Sequence, residues 1–283
     1  MLEEVRIAPT IKTSKKTKMH FIVPILKNHF TIEKLITIST IFSLCLIWYI
    51  VTDLKLLSDI FIPSPAKVAS SFQEIIAEGY KGDSLLRHLG DSMFRLLVAF
   101  VLAVITGVPL GLASGYNSKI RAVVDPLVEF YRPLPPLAYY SLLIIWMGID
   151  NSSKIALLFL AAFAPVYIAC MSGVKSIKTD YIDGAFTLGA SNSQIFWHVI
   201  LPASLPEIFV GMRTSIGVAY TTLVAAEMVA AVSGIGWMVL DASKFLRSDI
   251  IFVGIFIMGI TGILIDRGIR IIENRIVPWK GQA

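Results

Sequence analysis

Few residues in this chain have the type and spacing to do chemistry. The four histidines, His20, His29, His88 and His198, are scattered and show no zinc-ligand spacing. The two cysteines, Cys45 and Cys170, each lie inside an apolar run with no partner in view, and both are expected to be small core residues. No G-x-x-x-x-G-K-[ST] occurs, so no loop can cradle a nucleotide phosphate in the P-loop manner, and GIG at 234–236 is a short loop signal outside that context. Ser-His-Asp, Cys-His and G-x-S-x-G nucleophile signatures are also missing. The residues therefore call for no metal, no cofactor and no catalytic side chain. What remains is charge in apolar surroundings. Arg132 precedes a proline run, while Arg213 and Glu227 lie towards either end of one apolar stretch. Charges at membrane depth usually face a bundle interior or a cavity and mark solute or ion routes. For the two arginines the alternative is that they snorkel to an interface. Glu227, in TTLVAAEMVAA, would repel an anionic solute unless a cation paired with it, so it is expected to be a gate or a structural ion-pair residue rather than a solute ligand. Tyr139, Tyr140 and Trp146 could line a path, with packing against a neighbouring helix as the competing reading.

The elements that must position these residues are set by composition. Of the 283 residues 55% are hydrophobic and 16% charged, with mean hydropathy +0.74, whereas a soluble domain carries about 25% charge. Apolar runs recur along nearly the whole chain, which makes it an all-α, polytopic membrane protein. The net charge of +5 would suit nucleic acid, but Arg6, Lys12, Lys15, Lys16, Lys18 and Lys27 crowd into the N-terminal stretch. That placement fits a cytoplasmic flank beside anionic lipid, and no nucleic-acid partner is expected. A crossing helix needs about 20 apolar residues. Clear stretches lie at about 34–52, 93–115, 153–174, 206–232 and 250–272, and a less regular one at about 127–147 includes Pro133, Pro135 and Pro136. Those prolines must interrupt regular helix, and the freed backbone groups need shelter from lipid. The first run follows a polar leader without a small-x-small cleavage site, so it is expected to be a retained span.

About six spans put both termini on one side. With the N-terminus inside, the inner segments hold fifteen lysines and arginines and the outer segments seven, which supports an N-in, C-in topology. Residues 1–33 then form a cytoplasmic tail, and 34–283 a single membrane domain. In the outer segment 53–92, PSPAKVASSFQEIIAE predicts a short amphipathic helix with Ser64 as cap, Pro65 at the first position, and Val68, Phe72, Ile75 and Ile76 on one face.

The stretch 178–204 falls on the cytoplasmic side. Tyr181, Ile182, Ala185 and Phe186 share one helix face, as do Ile195, Phe196, Val199 and Ile200. Gly189 between them permits a turn that a Cβ would resist, and Ser191 with Gln194 makes a capping-box pattern. Pro202 is expected to end the second helix and Pro206 to open the next span. Such a segment could lie on headgroups. Yet no lysine or arginine occurs between Tyr181 and Ser204, which favours a protein partner.

DGAFTLGASNSQIFWHVILP resembles the EAA loop of ABC importer permeases, E-A-A, three residues, Gly, nine residues, I-x-L-P. Asp183, Gly184 and Ala185 stand at the first three positions, Gly189 at the glycine, and Val199, Leu201 and Pro202 at the end, with Ser191 as helix cap. Asp for Glu, Gly for Ala and Val for Ile are the departures, and the spacing matches throughout. YRPLPPLAYYSLLIIWMGI, FAPVY, GVKS, ILPASLPEIFVGMR and TTLVAAEM are similar to the sulfonate, nitrate and taurine branch of that family, from about Ile62 onward, and YRPLPPLA and VPWKG are most like its taurine members; Tyr139 replaces an expected Trp. The resemblance implies a type I ABC importer permease fold in the bacterial inner membrane. It implies two ATPase subunits bound at the EAA loops, a second copy of this permease, and a periplasmic solute-binding protein that delivers solute. Taurine or a related alkanesulfonate is the implied solute, with nitrate or another small anion as the alternative. A self-contained secondary transporter is disfavoured, since few intramembrane acids exist to carry protons and no paired inverted halves stand out.

Overall fold

The computed structural model describes the backbone of residues 22–280 and the side chains of residues 32–280. Arg6, Lys12, Lys15, Lys16 and Lys18 of the expected tail lie outside the described residues. Two compact units are present, residues 1–59 and 60–283. Among its described residues the first contains one helix, α1 (Ile22–Asp53). Its portion 32–53 is long and apolar enough to cross a membrane, with only 6% of its apolar window buried. Cys45 is exposed on it, contrary to its expected place in a core, because no other element among the described residues of that unit covers the helix there.

The described residues of the second unit build the helices α2 (Pro65–Glu78), α3 (Leu85–Tyr116), α4 (Ser118–Tyr131), α5 (Pro136–Met147), α6 (Asn151–Lys175), α7 (Thr179–Thr187), α8 (Asn192–Ile195), α9 (Leu201–Ala230), α10 (Ile235–Lys244) and α11 (Ser248–Ile276). Four runs in it reach spanning length: 85–116, 151–175, 192–230 and 248–276. The expected run 127–147 is instead a break between α4 and α5, with the prolines at the seam. The 12 residues of α5 extend about 18 Å against a hydrocarbon core of about 30 Å.

Helices α3, α6 and α9 form the core, and small residues let them approach closely. Gly107, Gly111 and Gly115 recur every fourth residue along α3 and face Val166, Cys170 and Val174, which recur likewise along α6. A Cβ on Gly111 would stand 2.6 Å from both the Cys170 Cβ and the Tyr167 carbonyl oxygen. On α9, a Cβ on Gly211 would stand 2.4 Å from the Ala169 Cβ. Such small-residue seams are how helices pack where lipid is as apolar as leucine. Cys170 is buried in this seam, as expected.

Helix α2 starts as the sequence predicts, with Ser64 Oγ accepting from Lys67 N and Pro65 in the first turn. Its inward stripe differs, however. Val68, Ser71 and Ile75 are buried, while Phe72 and Ile76 are exposed. Ser71 wins the inner position because its hydroxyl donates to Asp249 Oδ2 at 2.6 Å, at the start of α11. Arg247 closes that corner with a 2.8 Å bond to the same carboxylate. Periodicity ranks side chains by hydropathy and cannot see a waiting acceptor.

Candidate functional site

The loop 178–204 is built from two consecutive caps. Helix α7 ends in a Schellman turn: Gly189 N donates to Phe186 O at 2.9 Å, and Ala190 N to Ala185 O at 3.1 Å. That pair of bonds requires a left-handed residue, and Gly189 has φ +84°. Two residues on, the Ser191 hydroxyl accepts from Gln194 N while the Gln194 side chain accepts from Ser191 N at 2.8 Å, the expected capping box. Asp183, Gly184, Gly189 and Ser191 are exposed, and Ala185, Val199, Leu201 and Pro202 are partly buried. Ile182 and Ala185 rest on the buried cluster of Ile195, Ile200, Cys170 and Val174. Tyr181, Phe186 and Trp197 are exposed, and Leu188 is 90% exposed at the tip. This rim of uncovered apolar side chains carries no lysine or arginine.

Pro202 does not end the second helix. The chain widens into a π turn over Phe196–Ile200, where Leu201 N donates to Phe196 O, and α9 then runs on through Pro202 and Pro206. Proline lacks an N–H and crowds the preceding turn, and one wide turn absorbs both defects without a break. Residues 192–230 thus form one helical run of 39 residues.

At the other end of that run sits Glu227, 1% exposed. Arg95 Nη1 on α3 donates to Glu227 Oε1 at 2.6 Å, with the arginine side chain only 4% exposed. Ser92 Oγ donates to both Glu227 oxygens at 2.8 and 3.0 Å, and Gly236 N to Oε2 at 2.9 Å. Arg95 is held from behind. Its Nε donates to Asn151 Oδ1 at 2.7 Å, Nη1 to the Ser233 carbonyl at 2.9 Å, and Nη2 to Ser233 Oγ at 3.1 Å. The GIG segment is the start of α10 wrapped on this pair: Gly234 N donates to His88 Nδ1, Ile235 N to Ser92 Oγ, and Gly236 N to the carboxylate. At φ +122°, a Cβ on Gly234 would lie 2.4 Å from the Glu227 carboxyl, so only glycine fits. The open N–H groups of a helix start favour an anion, and here Glu227 supplies it. Removing one partner of such a pair would strand a buried charge at a cost of about 3–5 kcal/mol. Nearby, outside the spans, burial and then Asp241 push the Tyr80 phenol well above its usual range, so it remains the donor in its 2.9 Å bond to Asp241 Oδ2.

The other predicted residues are dispersed. Arg213, mid-run, bonds Asp266 Oδ1 of α11 at 3.0 Å and lies 3.9 Å from Glu273 Oε2; Arg270 joins Asp266 at 2.8 Å, and Lys280 joins Glu273. Arg132 is exposed at the end of α4, beside the proline break. Tyr139 is half-buried and packs on the cluster of Tyr140, Leu143, Leu157 and Ala226, and Trp146 is 71% exposed. The structure therefore does not gather Arg132, Tyr139, Arg213 and Glu227 into one site. Sequence reasoning missed Arg95, Ser92, His88 and Ser233. The available signal was electrostatic: a glutamate in an apolar run needs a cation, and Arg95 sits in another such run.

The sequence profile described as binding-protein-dependent transport system inner membrane component matches residues 107–278. The chain is 42% identical over 249 residues to the taurine transport system permease protein TauC of Escherichia coli (strain K12), covering 88% of this chain and 90% of that one. It is 34% identical over 234 residues to the putative aliphatic sulfonates transport permease protein SsuC of Bacillus subtilis (strain 168), covering 83% of each. Among solved structures, an inward-facing conformation of the MetNI methionine ABC transporter superposes with a TM-score of 0.52 at 18% identity, covering 65% of this chain and 95% of that one; at that identity the likeness speaks for the fold.

Proposed function

The chain belongs to the binding-protein-dependent transport system inner membrane components, as a multi-pass permease subunit of an ABC importer, and we propose that its solute is taurine or a related alkanesulfonate. The 42% identity to a taurine permease over nine-tenths of that protein supports the choice. In this proposal loop 178–204 lies in the cytoplasm, both termini are cytoplasmic, 1–33 is a tail and 34–283 the membrane domain. Two copies of the chain pair with two ATPase subunits, and a periplasmic binding protein delivers solute to the opposite face. The sequence contains no phosphate-cradling loop, so ATP hydrolysis belongs to the partner.

The observation that carries the coupling role is the double-capped turn at Gly189. It holds Tyr181, Phe186 and Leu188 outward on a rigid support, at the register of Asp183, Gly184, Ala185, Gly189, Val199, Leu201 and Pro202 in the EAA pattern. A partner groove that covered Leu188 alone would gain about 1.5–3 kcal/mol. Arg132 and Tyr139 flank the α4–α5 break and are proposed for the solute path, whereas Arg213 and Glu227 act as ties between helices.

Proteoliposomes containing the chain, its ATPase and its binding protein test the assignment. Labelled taurine is expected to enter only with ATP and all three proteins. Flux through the chain alone, driven by an ion gradient, would overturn the importer reading. Uptake of nitrate in preference to taurine would overturn the solute and leave the importer standing.

A further inference from the structure

We propose that Arg95 and Glu227 are positioning residues for transport: their clasp makes the far end of α9 one rigid body with α3, α6 and α10, so that movement imposed at the loop 178–204 arrives there undiminished. The proposal rests on the reading of that loop as the ATPase contact.

The connection is a single piece of helix. The run 192–230 starts at the Ser191 capping box and ends three residues past Glu227. At about 1.5 Å per residue it is about 58 Å long. Its two prolines, Pro202 and Pro206, and its π turn over Phe196–Ile200 all fall near the loop end, so the remainder carries neither a proline nor a π turn at which to bend. A rod transmits displacement only if its far end is attached to something, and the clasp is that attachment. Ser92 and Arg95 come from α3, Asn151 from the first residue of α6, Glu227 from α9, and Ser233 to Gly236 from the start of α10. Asp91 extends it, accepting from Ser233 Oγ at 2.5 Å.

Two observations separate a clasp from a gate or a solute ligand. Glu227 and Arg95 are 1% and 4% exposed in their side chains, and Glu227 has protein donors on both oxygens, which leaves no room for solute. Gly234 closes over the carboxylate so tightly that a methyl group would collide with it. Parting these helices would leave two unpaired charges in a dry site, so the elements move together or not at all.

The test uses the assembled complex in proteoliposomes. Glu227→Gln is expected to keep the ATPase bound and its basal rate unchanged. Stimulation by solute-loaded binding protein, and solute imported per ATP, should both fall about tenfold. Glu227→Asp, which restores the charge, should recover part of that loss. Gly189→Val should instead lose the ATPase on purification, so failure of the loop reading is distinguishable from failure of the clasp. A second arm does not depend on the folding of Glu227→Gln. Hydrogen exchange of the unmodified complex is followed with and without a non-hydrolysable ATP analogue, at the amides of Gly234, Ile235 and Gly236 that the clasp holds. A rigid clasp predicts the same slow exchange there in both states. Faster exchange at these amides in the nucleotide-bound state overturns the proposal, as does Glu227→Gln with normal coupling.

Discussion

Replacing Gly189 probes the place where backbone conformation, with no help from a side chain, sets the shape of loop 178–204, the proposed ATPase contact. Its φ is +84°, and the two bonds that close the turn, 2.9 Å to Phe186 O and 3.1 Å to Ala185 O, exist only at that conformation. A Cβ built there meets nothing within 4 Å. No neighbour has to move, and the whole cost is conformational. Holding a non-glycine residue in the left-handed region costs about 1–3 kcal/mol, with β-branched residues at the upper end. At 1.4 kcal/mol per decade that is a roughly 5- to 150-fold loss in the population of the closed turn. Asparagine enters the region readily, so the expected order of function is glycine, then asparagine, then alanine, then valine.

The assay is retention of the ATPase subunit by tagged variants, followed by ATP-dependent uptake at saturating solute. Gly189→Asn should approach the native level, Gly189→Ala should fall about fivefold, and Gly189→Val about tenfold or more. Gly184→Ala is the control. Its Cβ also meets open space, but Gly184 lies within α7 at ordinary helical angles, where alanine favours the helix by about 0.5–1 kcal/mol. Native uptake by Gly189→Val would refute the reasoning. So would damage from Gly184→Ala equal to that from Gly189→Ala, because it would show that the surface and not the turn is being read.

Gly211→Ala places a methyl group 2.4 Å from the Ala169 Cβ, and the forced separation of α6 and α9 is expected to cost about 1–3 kcal/mol. A lowered melting midpoint of the detergent-solubilised protein checks it, and an unchanged midpoint would deny the close approach. Ser71→Ala removes the 2.6 Å donor to Asp249 and should weaken the α2–α11 corner by about 1.5–3 kcal/mol. Faster hydrogen exchange across 65–78, with exchange across α3 unchanged, is the expected signature.

The features legible in the sequence are those whose causes are local. The Schellman turn and the capping box each close within six residues, so Gly189, Ser191 and Gln194 announce them by type and spacing alone. Spans are legible because a hydropathy window reports the surrounding solvent directly. The errors occur where a distant group or a backbone adjustment intervenes. Phe72 and Ile76 belong to the apolar face of α2 by periodicity, but Asp249 draws Ser71 inward and sets the rotation of the helix. Pro202 reads as a stop because proline cannot continue a regular helix, and a single π turn carries the chain past it. Glycines at 107, 111 and 115, every fourth residue inside an apolar run, mark the α3–α6 seam by spacing alone.

Glu227 shows where the boundary falls. A carboxylate in an apolar run requires a cation, and that requirement is visible in the sequence. The supplier is not, because Arg95 lies 132 positions away and no spacing rule links them. A second obstacle is physical. Helix α3 begins at Leu85, yet its first turns carry Arg87, His88, Asp91 and Ser92, which any hydropathy window reads as loop. A span drawn from residue 93 therefore leaves Arg95 at an edge, where an arginine is ordinary and can snorkel. The polar first turns are themselves the binding surface for the pair: His88 and Ser92 receive the N–H groups of Gly234 and Ile235, and Ser92 also donates to Glu227. The residues that make α3 look non-helical are those that bury its charge. In a membrane protein of this kind, a polar prelude to an apolar run is thus a place to look for the partner of an intramembrane charge before it is assigned to solvent.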